Sequence, residues 1–403
     1  MTILIDKQIV LGVTGSIAAY KAVDLASKLA QAGMLVDAIL TSSAEKFITP
    51  LTFQSVTGRR AFTDKDLWGN EAHVLHVGLG HTANLLVIAP CTANTIAKLA
   101  HGQADNLLTV TVLASRCPLV IAPAMDGGMF DHPATQENLD TLRKRGAFII
   151  EPVEGHLESG LIGKGRLPET HELIGRIRII LGHRGLLANK KVLVTAGGTQ
   201  EPLDPVRVLT NRSSGRQGYA LAQAALEAGA QVTLITSPTA LTPPVGAHVV
   251  KVETAKQMMD AVLHELPEYD ALIMAAAVAD FRPKKVAENK IKKEGGVPQI
   301  ELEATEDILK AVADLQPGLK RRRVVVGFAA ESQSLLENAA NKLQSKKLDL
   351  IAANDISAGD AGFSVETNRV TLLFADGRTE SLSLMSKTEV AGIIIERVAE
   401  LLE

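Results

Sequence analysis

The sequence is poor in several features, and each shortage excludes a class of protein. Aromatic residues make up only 3% of the 403 residues, so stacking platforms for single-stranded nucleic acid are not expected. The formal net charge is −3, which gives no overall attraction to nucleic acid or to an anionic membrane surface. No apolar run reaches the roughly 18 residues that a membrane-spanning helix needs. Anionic ligands, if bound, must be held by local groups.

Cysteine is also scarce. Cys91 and Cys117 are the only two, and each lies in or beside an apolar run, which is typical of buried free thiols in a reducing compartment. The first residues lack the layout of a signal peptide, because Gly12, Thr14 and Gly15 interrupt their apolar run. With 46% apolar and 22% charged residues, the sequence predicts a globular cytoplasmic protein.

The first half of the chain alternates strand-like and helix-like segments. Apolar runs predict strands at residues 8–14, 35–40, 84–89 and 119–122. Helical patterns at 17–31 and 92–100 lie between them, so we predict a mostly parallel sheet of the flavodoxin-like or Rossmann-like kind, with helices on both faces. Ligands of such sheets bind beyond the carboxyl ends of the strands. Chemistry is therefore expected in the segments GVTGS, TSSAE, APCTANT and PAMDGGM.

A short polar segment divides the chain. Residues 154–167 are glycine-rich and predict a loop or flap, and residues 182–190 are typical of a linker. From Lys191 the pattern restarts, because KVLVTAGG repeats the layout of IVLGVTGS. Duplication and the commonness of this fold explain that repeat equally well. We predict two domains, residues 1–188 and 189–403.

The second half is also predicted to be a Rossmann-like α/β domain. Its apolar runs predict strands at residues 231–236, 271–277, 323–328 and 348–353. Near the end, two strand patterns flank Asp376 and Gly377, a pair that favours a hairpin turn. We therefore expect an antiparallel addition to the second sheet.

Neither half contains a G-x-G-x-x-G segment, so a nicotinamide-dependent oxidoreductase is not favoured. Gly15 and Ser16 nevertheless end a strand where a helix begins, and such a place offers backbone N–H groups and a hydroxyl to one phosphate. Ser42 and Ser43, after the next strand, can add hydroxyls. From the residues alone, a mononucleotide phosphate site and a tight turn with an N-cap serine are equal alternatives.

Three segments, GVTGSIAAYKA, APCTANTIAKLAHGQADNLLT and PAMDGGMF, resemble the FMN-binding flavoprotein family of cysteine decarboxylases. The resemblance spans most of residues 8–167 in the same order. It implies that Gly15 and Ser16 hold the phosphate of FMN, and that Met125 and Asp126 contact the substrate. It also implies a set of residues that border the flavin: Ser42, Pro90, Ala93, Asn94 and Asp105.

His76, in HVLHVGLGH, matches the catalytic histidine of that family. An imidazole that titrates near neutrality suits proton transfer and contact with a substrate carboxylate. His73 and His81 lie close by, and without the resemblance an exposed, non-catalytic role would be preferred for all three. They have no well-spaced cysteine or carboxylate partner, so they are a poor metal signal, and the metal ligands stay unknown.

Two residues depart from the family pattern. The usual PAMN motif is PAMD here, and the ionised carboxylate of Asp126 can only accept hydrogen bonds where an amide could donate one to a substrate carboxylate. The usual flap cysteine, thought to be the acid in reduction of the enethiol intermediate, is replaced by Ser159, whose hydroxyl is far less acidic than a thiol of pKa about 8.5. A working decarboxylase is still expected, with a slow or altered one as the alternative.

The second half carries the longest unusual string, VTAGGTQEPLDPVRVLTNRSSGRQG. Together with MAAAVADFRPKKVAENKIKK, VGFAAES and LIAANDIS it resembles the phosphopantothenate–cysteine ligases over about residues 190–385. The resemblance implies that a nucleoside triphosphate activates the carboxylate of 4′-phosphopantothenate as an acyl-nucleotide with release of pyrophosphate. The amine of cysteine then attacks to form the amide.

Joining an anionic carboxylate to an anionic phosphate needs positive charge and positioned donors. We expect Lys290 to stabilise charge during nucleotide transfer, with Lys292 and Lys293 solvated or auxiliary. Asn211 is expected to hold the acyl-nucleotide carbonyl through its amide. The resemblance implies four nucleotide-binding residues: Asp280, Phe328, Lys342 and Lys346.

Both resemblances together match the bacterial enzymes of coenzyme A biosynthesis that fuse a phosphopantothenoylcysteine decarboxylase to a phosphopantothenate–cysteine ligase. They imply FMN as cofactor, Mg2+ with the triphosphate, and CTP as co-substrate, with ATP as the alternative. They also imply a homo-oligomer, a dodecamer built from trimers and dimers. Two other readings stay open, a ligase with a weak or inactive flavin-binding domain and a flavoprotein scaffold or regulator.

Overall fold

The computed structural model describes residues 3–68, 74–156, 160, 162–293, 298–331, 334–355 and 367–403. Contacts divide the chain into two compact units, Ile3–Leu181 and Gly182–Glu403. This division falls a few residues before the predicted domain boundary. Within the predicted linker, residues 182–190, Leu187 is fully buried and its backbone N–H donates to the carbonyl of Ala228 at 2.8 Å.

The first unit is a parallel sheet covered by helices. Its strands are β1 (Gln8–Val13), β2 (Leu35–Leu40), β3 (Ala61–Thr63), β4 (Leu85–Cys91), β5 (Leu119–Pro123), β6 (Phe148–Ile149), β7 (Val153–His156) and β8 (Ile162–Arg166). Its helices are α1 (Ala19–Gln31), α2 (Pro50–Thr57), α3 (Leu75–Thr82), α4 (Ala93–His101), α5 (Leu107–Ala114), α6 (Gly127–Asp131), α7 (Pro133–Lys144) and α8 (Thr170–Gly182). The sheet order is β3-β2-β1-β4-β5-β6, so the order reverses between β1 and β4. That reversal is where such sheets bind ligands.

Alternation along the strands explains the two covered faces. In β1, Ile9 and Leu11 pack on the core formed with α1, α2 and α8. Val10 packs on the opposite core, formed with α3, α4, α5 and α7. Because both faces are covered, the strands are mainly apolar rather than alternating, as predicted for a parallel sheet.

Two local predictions in the first unit need correction. Within the predicted loop or flap, residues 154–156 and 162–166 are not loop, since they belong to β7 and β8, which pair antiparallel. β4 does not stop at Pro90 but runs on to Cys91, because its pairing with β5 is irregular between Ile88 and Cys91. A proline, which has no N–H to donate, is tolerated at such an irregularity.

The second unit repeats the architecture with a larger, mixed sheet. Its strands are β9 (Lys191–Ala196), β10 (Gln200–Pro202), β11 (Val208–Thr210), β12 (Gln231–Thr236), β13 (His248–Lys251), β14 (Ala271–Met274), β15 (Phe281–Pro283), β16 (Leu302–Ala304), β17 (Val324–Glu331), β18 (Leu350–Asp355), β19 (Thr367–Asn368), β20 (Val370–Phe374), β21 (Thr379–Ser381) and β22 (Met385–Ser386). Its helices are α9 (Arg216–Glu227), α10 (Ala255–Glu265), α11 (Ile308–Leu315), α12 (Leu335–Ser345) and α13 (Lys387–Leu401).

The sheet order is β13-β12-β9-β14-β17-β18-β20-β21. The first six strands are parallel, and β20 and β21 are the antiparallel addition predicted around Asp376 and Gly377. The order again reverses between the first strand of the unit, β9, and β14, which gives a second ligand crevice. The predicted α/β class is therefore confirmed for both units. Among the described residues, no helix combines the length and the apolarity needed to cross a membrane.

Candidate functional site

In the first unit, Thr14 ties together the two segments that meet at the reversal of strand order. Its hydroxyl donates to the carbonyl of Pro90 at 2.8 Å and accepts from the backbone N–H of Thr92 at 3.0 Å. Beside it, a Cβ added to Gly15 would lie 2.5 Å from the Cβ of Ser43, so only glycine fits. The crevice thus has the close backbone approach that a phosphate group requires.

Asp64 is a second organising residue that the sequence did not reveal. One carboxylate oxygen accepts from the N–H of Ser42 at 3.1 Å, and the other accepts from the N–H of Leu107 at 3.2 Å. Asp64 therefore connects a predicted flavin residue to the start of α5. Asp105, also predicted to border the flavin, is exposed and forms an ion pair with Lys98 at 2.6 Å. Ala93 and Asn94 open α4, which Thr92 caps.

A cavity of about 430 Å³ adjoins this crevice. Ser16, Met125 and Asp126 line it, together with the basic side chains of Lys21 and Arg166. This volume is within the range of small-molecule sites, and the mixture of apolar walls and a few charged groups is typical of them. The structure therefore brings Ser16, one of the two predicted phosphate residues, and both predicted substrate residues to one place.

Asp126 also has a structural role in this cavity wall. It is the N-cap of the short helix α6, and its Oδ1 accepts from the N–H of Gly128 at 2.9 Å. The hairpin β7–β8 packs against the same segment, because the N–H of Met125 donates to the carbonyl of Gly165 at 3.1 Å and no side chain fits at Gly165. The carbonyl of an asparagine could accept the same capping hydrogen bond.

His76 and Ser159 are not brought to this cavity by the described part of the chain. His76 lies half-buried on α3 and is not among the cavity residues. Ser159 and His73 lie outside the described residues. Their predicted roles stay predictions. Cys91 is fully buried, and burial raises the pKa of its thiol, so it is an unreactive core residue.

In the second unit, glycines again shape the crevice at the reversal of strand order. A Cβ added to Gly198 would lie 2.9 Å from the carbonyl oxygen of Asn211. The hydroxyl of Thr199 accepts from the N–H of Ala279 at 2.9 Å, and Thr210 donates to the carbonyl of Thr199 at 2.8 Å. Hydrogen bonds thus hold the strings GGT, LTNRSSG and AAAVAD against one another.

A cavity of about 510 Å³ opens from this crevice and is lined by all four residues predicted to bind the nucleotide, Asp280, Phe328, Lys342 and Lys346. The ammonium of Lys342 donates to the carbonyl of Phe328 at 2.9 Å. The ammonium of Lys346 pairs with the carboxylate of Asp307. The two lysines offer ammonium groups to an anionic ligand, beside the carboxylates of Asp280 and Asp307 in the same lining.

Asp307 caps α11 as well as pairing with Lys346, since its Oδ1 accepts from the N–H of Lys310 at 3.0 Å. Burial acts to raise the pKa of Asp307, but Lys346, the N–H of Lys310 and the charge of Lys342 outweigh it, so the pKa lies below its ordinary value. Asp307 is therefore an anion in the cavity wall at neutral pH.

Asn211 and Lys290 lie outside the lining of this cavity. The side-chain amide of Asn211 donates to the carbonyls of Val278 at 3.0 Å and Ala277 at 3.4 Å, so it fastens the segment after β11 to the segment after β14. Lys290 is exposed. Neither observation tests the predicted roles of these residues in acyl transfer and nucleotide transfer.

Asp204 positions the segment that carries Lys290. Its fully buried carboxylate accepts from the N–H groups of Val206 and Arg207, both at 2.8 Å, and from the N–H of Ile291 at 3.1 Å. The Arg207 guanidinium donates both to this carboxylate and to the carbonyl of Ile291, each at 3.1 Å. Burial acts to raise the pKa of Asp204, but these donors outweigh it and hold the pKa below its usual 3.8.

Two sheets whose six parallel strands follow the same order, each with a glycine-shaped crevice at the reversal of that order, define a protein with two α/β units of the kind that binds ligands at this position. Residues 4–181 match the family model described as "Flavoprotein", and residues 187–402 match "DNA/pantothenate metabolism flavoprotein C-terminal domain".

The chain belongs to the family of coenzyme A biosynthesis bifunctional proteins, as the resemblance implied. It is 44% identical to the protein of that description, CoaBC, from Bacillus subtilis, over 98% of this chain and 97% of that protein. It is 42% identical to the CoaBC of Vibrio cholerae, over 99% of this chain and 100% of that protein. A crystal structure of the C-terminal domain of a CoaBC is 40% identical, covers 54% of this chain and 98% of that domain, and gives a TM-score of 0.47.

Proposed function

We propose that this chain catalyses two successive steps of coenzyme A biosynthesis. Residues 189–403 ligate cysteine to 4′-phosphopantothenate through an acyl-cytidylate formed from CTP. Residues 1–188 then decarboxylate the 4′-phosphopantothenoylcysteine to 4′-phosphopantetheine with FMN. Family membership over almost the whole chain supports both steps. The observation that carries the ligase is the single cavity lined by Asp280, Phe328, Lys342 and Lys346.

The ligase site is suited to anion chemistry. Lys342 and Lys346 provide positive charge for the nucleotide, and Lys290 adds charge where pyrophosphate departs. Mg2+ bound with a triphosphate needs only one or two protein carboxylates, since phosphate oxygens and waters supply the rest. Asp280 and Asp307 are carboxylates of the same wall, so the donor set fits this ion.

The decarboxylase site is suited to a flavin mononucleotide with a small acidic substrate. Bound FMN would supply reversible two-electron redox chemistry for the cysteine moiety. Gly15 and Ser16 bind its phosphate, and Ser42, Pro90, Ala93, Asn94 and Asp105 border it. Lys21 and Arg166 supply positive charge opposite the acidic substrate in the cavity beside Met125 and Asp126.

We further propose that the cytoplasmic enzyme is a homo-oligomer, a dodecamer as the resemblance implies. His76 does not line the cavity of its own chain. In the oligomer, His76 of a neighbouring copy contacts the substrate carboxylate and transfers the proton. Ser159 takes the place of the flap acid.

One alternative function has a specific basis. In this alternative the first unit binds flavin but turns its substrate over slowly. One carboxylate oxygen of Asp126 is engaged in capping α6, and Ser159 is a weak acid. The chain would then act mainly as the ligase, with the flavin unit as a scaffold or regulator.

Assays of the two half-reactions on the purified full chain test the proposal. We expect a yellow protein that releases CO2 from 4′-phosphopantothenoylcysteine, and that releases pyrophosphate from CTP only when 4′-phosphopantothenate is present. Yellow colour without CO2 release would favour the alternative. A colourless protein without turnover would remove the decarboxylase, and faster pyrophosphate release from ATP than from CTP would overturn the choice of nucleotide.

A further inference from the structure

The cavity of the second unit has two walls on opposite faces of the sheet. Ala329 and Ala353 pack into the core formed with α10, α11 and α12. Asn354 follows Ala353 in β18, and successive strand residues point to opposite faces, so Asn354 points towards α9 and α13. Lys342, on α12, and Lys346, directly after that helix, lie on the other side. The predicted nucleotide lysines and Asn354 therefore belong to different walls.

A directed chain of amides forms the wall on the side of α9 and α13. The amide nitrogen of Asn354 donates to the Oδ1 of Asn368 at 3.5 Å. The nitrogen of Asn368 donates to the Oε1 of Gln217 at 3.0 Å, and the nitrogen of Gln217 donates to the backbone carbonyl of Lys387 at 3.3 Å. Every amide donates in the same direction, so the carbonyl of Asn354 is left at the start of the chain.

That carbonyl is an acceptor without a donor. Asn354 as a whole residue is only 9% exposed, and its Oδ1 has no hydrogen-bond partner among the described residues. Asn354, Asn368, Gln217 and Lys387 all line the cavity. Buried acceptors are almost always satisfied, so an unpaired one on a cavity wall indicates a ligand that brings an N–H group.

The charge on the same wall limits the chemical class of the ligand. Lys387 and Arg216 also line it, so a group next to the N–H donor should be an anion. An amino acid carries an amino group and a carboxylate on one carbon. Burial and, secondarily, the charge of Arg216 lower the pKa of Lys387, and a bound carboxylate would offset both effects.

We propose that the wall formed by Gln217, Asn354, Asn368 and Lys387 is the subsite for the amino-acid substrate, where Asn354 accepts a hydrogen bond from its amino group. This inference rests on the proposed ligase function. Asn354 is a binding residue that orients the amine towards the acyl-nucleotide, and Lys387 and Arg216 oppose the carboxylate.

The test compares Asn354→Leu with Asn354→Asp in the full-length enzyme. Leucine removes the acceptor at similar size, so the KM for cysteine should rise about tenfold or more, while the KM for CTP and pyrophosphate release without cysteine stay within about twofold. Aspartate keeps an acceptor oxygen and should change the KM for cysteine much less. A rise in the KM for CTP instead of the KM for cysteine would indicate that the Asn354 carbonyl accepts from the amino group of the cytosine base. That result would overturn the proposal.

Two further measurements keep the test decisive if Asn354→Leu does not fold. Asn368→Leu removes the acceptor that orients the Asn354 amide, and should also raise the KM for cysteine alone. In the unaltered enzyme, 3-mercaptopropionate has the thiol and carboxylate of cysteine but no amino group. Its inhibition constant should exceed the KM for cysteine by about tenfold, and equality of the two would overturn the proposal. No pyrophosphate release from the unaltered enzyme would refute the ligase function itself.

Discussion

The two units share a sheet order and a glycine-shaped crevice, yet they organise their candidate sites differently. In the second unit, one cavity collects all four predicted nucleotide residues, and only the predicted transfer residues Asn211 and Lys290 lie outside its lining. In the first unit, Ser16 and Asp126 share a cavity, whereas His76 lies elsewhere on α3 and Asp105 is exposed. The difference teaches that topology determines where a ligand crevice forms, while the side chains around the crevice come from elements that topology does not specify.

The largest expected effect falls on the second unit alone. Lys290→Gln should lower pyrophosphate release by about 100-fold or more, because the developing charge loses its stabilising cation. Decarboxylation of supplied 4′-phosphopantothenoylcysteine should not change. Lys292→Gln, in the same exposed segment, is the matched control and should behave like the unaltered enzyme. Equal losses in the two variants would show that the segment acts only through its overall charge.

The paired glycines test whether the two crevices are equivalent. Gly15→Ala forces a Cβ against Ser43, so bound flavin should fall to below about a tenth while pyrophosphate release persists. Gly198→Ala forces a Cβ against the carbonyl of Asn211 and should have the opposite result. Flavin absorbance and pyrophosphate release measure both outcomes. If either alanine left its own unit unaffected, that crevice would not be the phosphate site.

Asn211→Asp separates the two steps of ligation. Loss of the amide donor should leave pyrophosphate release measurable but reduce amide formation by about 10-fold to 100-fold, if Asn211 holds the acyl carbonyl. Its hydrogen bonds to Val278 and Ala277 suggest the competing result. If both steps fell together along with thermal stability, Asn211 would be a structural tie rather than a substrate contact.

Asp126→Asn asks whether the first unit is limited by its departure from the family pattern. The asparagine carbonyl should keep the cap of α6, and its amide can donate to the substrate carboxylate, so kcat/KM for decarboxylation should rise about tenfold without loss of stability. Asp126→Ala should instead cost about 1 kcal/mol of stability through loss of the cap. An unchanged kcat/KM in Asp126→Asn would mean that residue 126 does not face the carboxylate.

The smallest effect concerns acid stability of the second unit. A carboxyl whose pKa is lowered on folding stabilises the folded state above its unfolded pKa and loses that contribution as the pH falls. Asp204 should therefore stabilise the packing of the Lys290 segment above about pH 4 and release it below. Thermal unfolding of the unaltered chain should weaken more between about pH 5 and about pH 3 than that of Asp204→Asn. Parallel curves would contradict this role.

The strands that sequence predicted best are those buried on both faces. Residues 35–40 and 231–236 are predicted with the observed bounds, because their mainly apolar composition is signal enough for a strand covered on both faces. The short strands β3, β6 and β13 escaped prediction, since their few residues pair only because a neighbouring strand is present. The sequence predicts a loop or flap in place of the β7–β8 hairpin for two reasons. Its glycines break the alternation of apolar and polar residues, and its packing on Met125 is a tertiary contact.

The residues of the candidate sites also differ in how well the sequence predicts them. Gly15 and Gly198 are recognisable in the sequence as glycines that follow strands. The close contacts at both positions explain why glycine is needed there. Thr14, Asp64 and Asp204 were not visible as organising residues, because their partners are remote. Asp204, for example, binds the N–H of Ile291, which lies 87 positions further along the chain. Sequence motifs identify residues that touch ligands more readily than residues that hold other residues in place.

The pairing of Lys346 with Asp307 has a consequence for how a nucleotide enters. The lysine already has an anionic partner, so a phosphate that binds it replaces one anion by another, in the manner of an ion exchanger. The displaced carboxylate remains stabilised by the amino end of α11, which it caps. Nucleotide binding should therefore release fewer dissolved ions than it would if both lysines were unpaired. The affinity for nucleotide should depend only weakly on salt concentration.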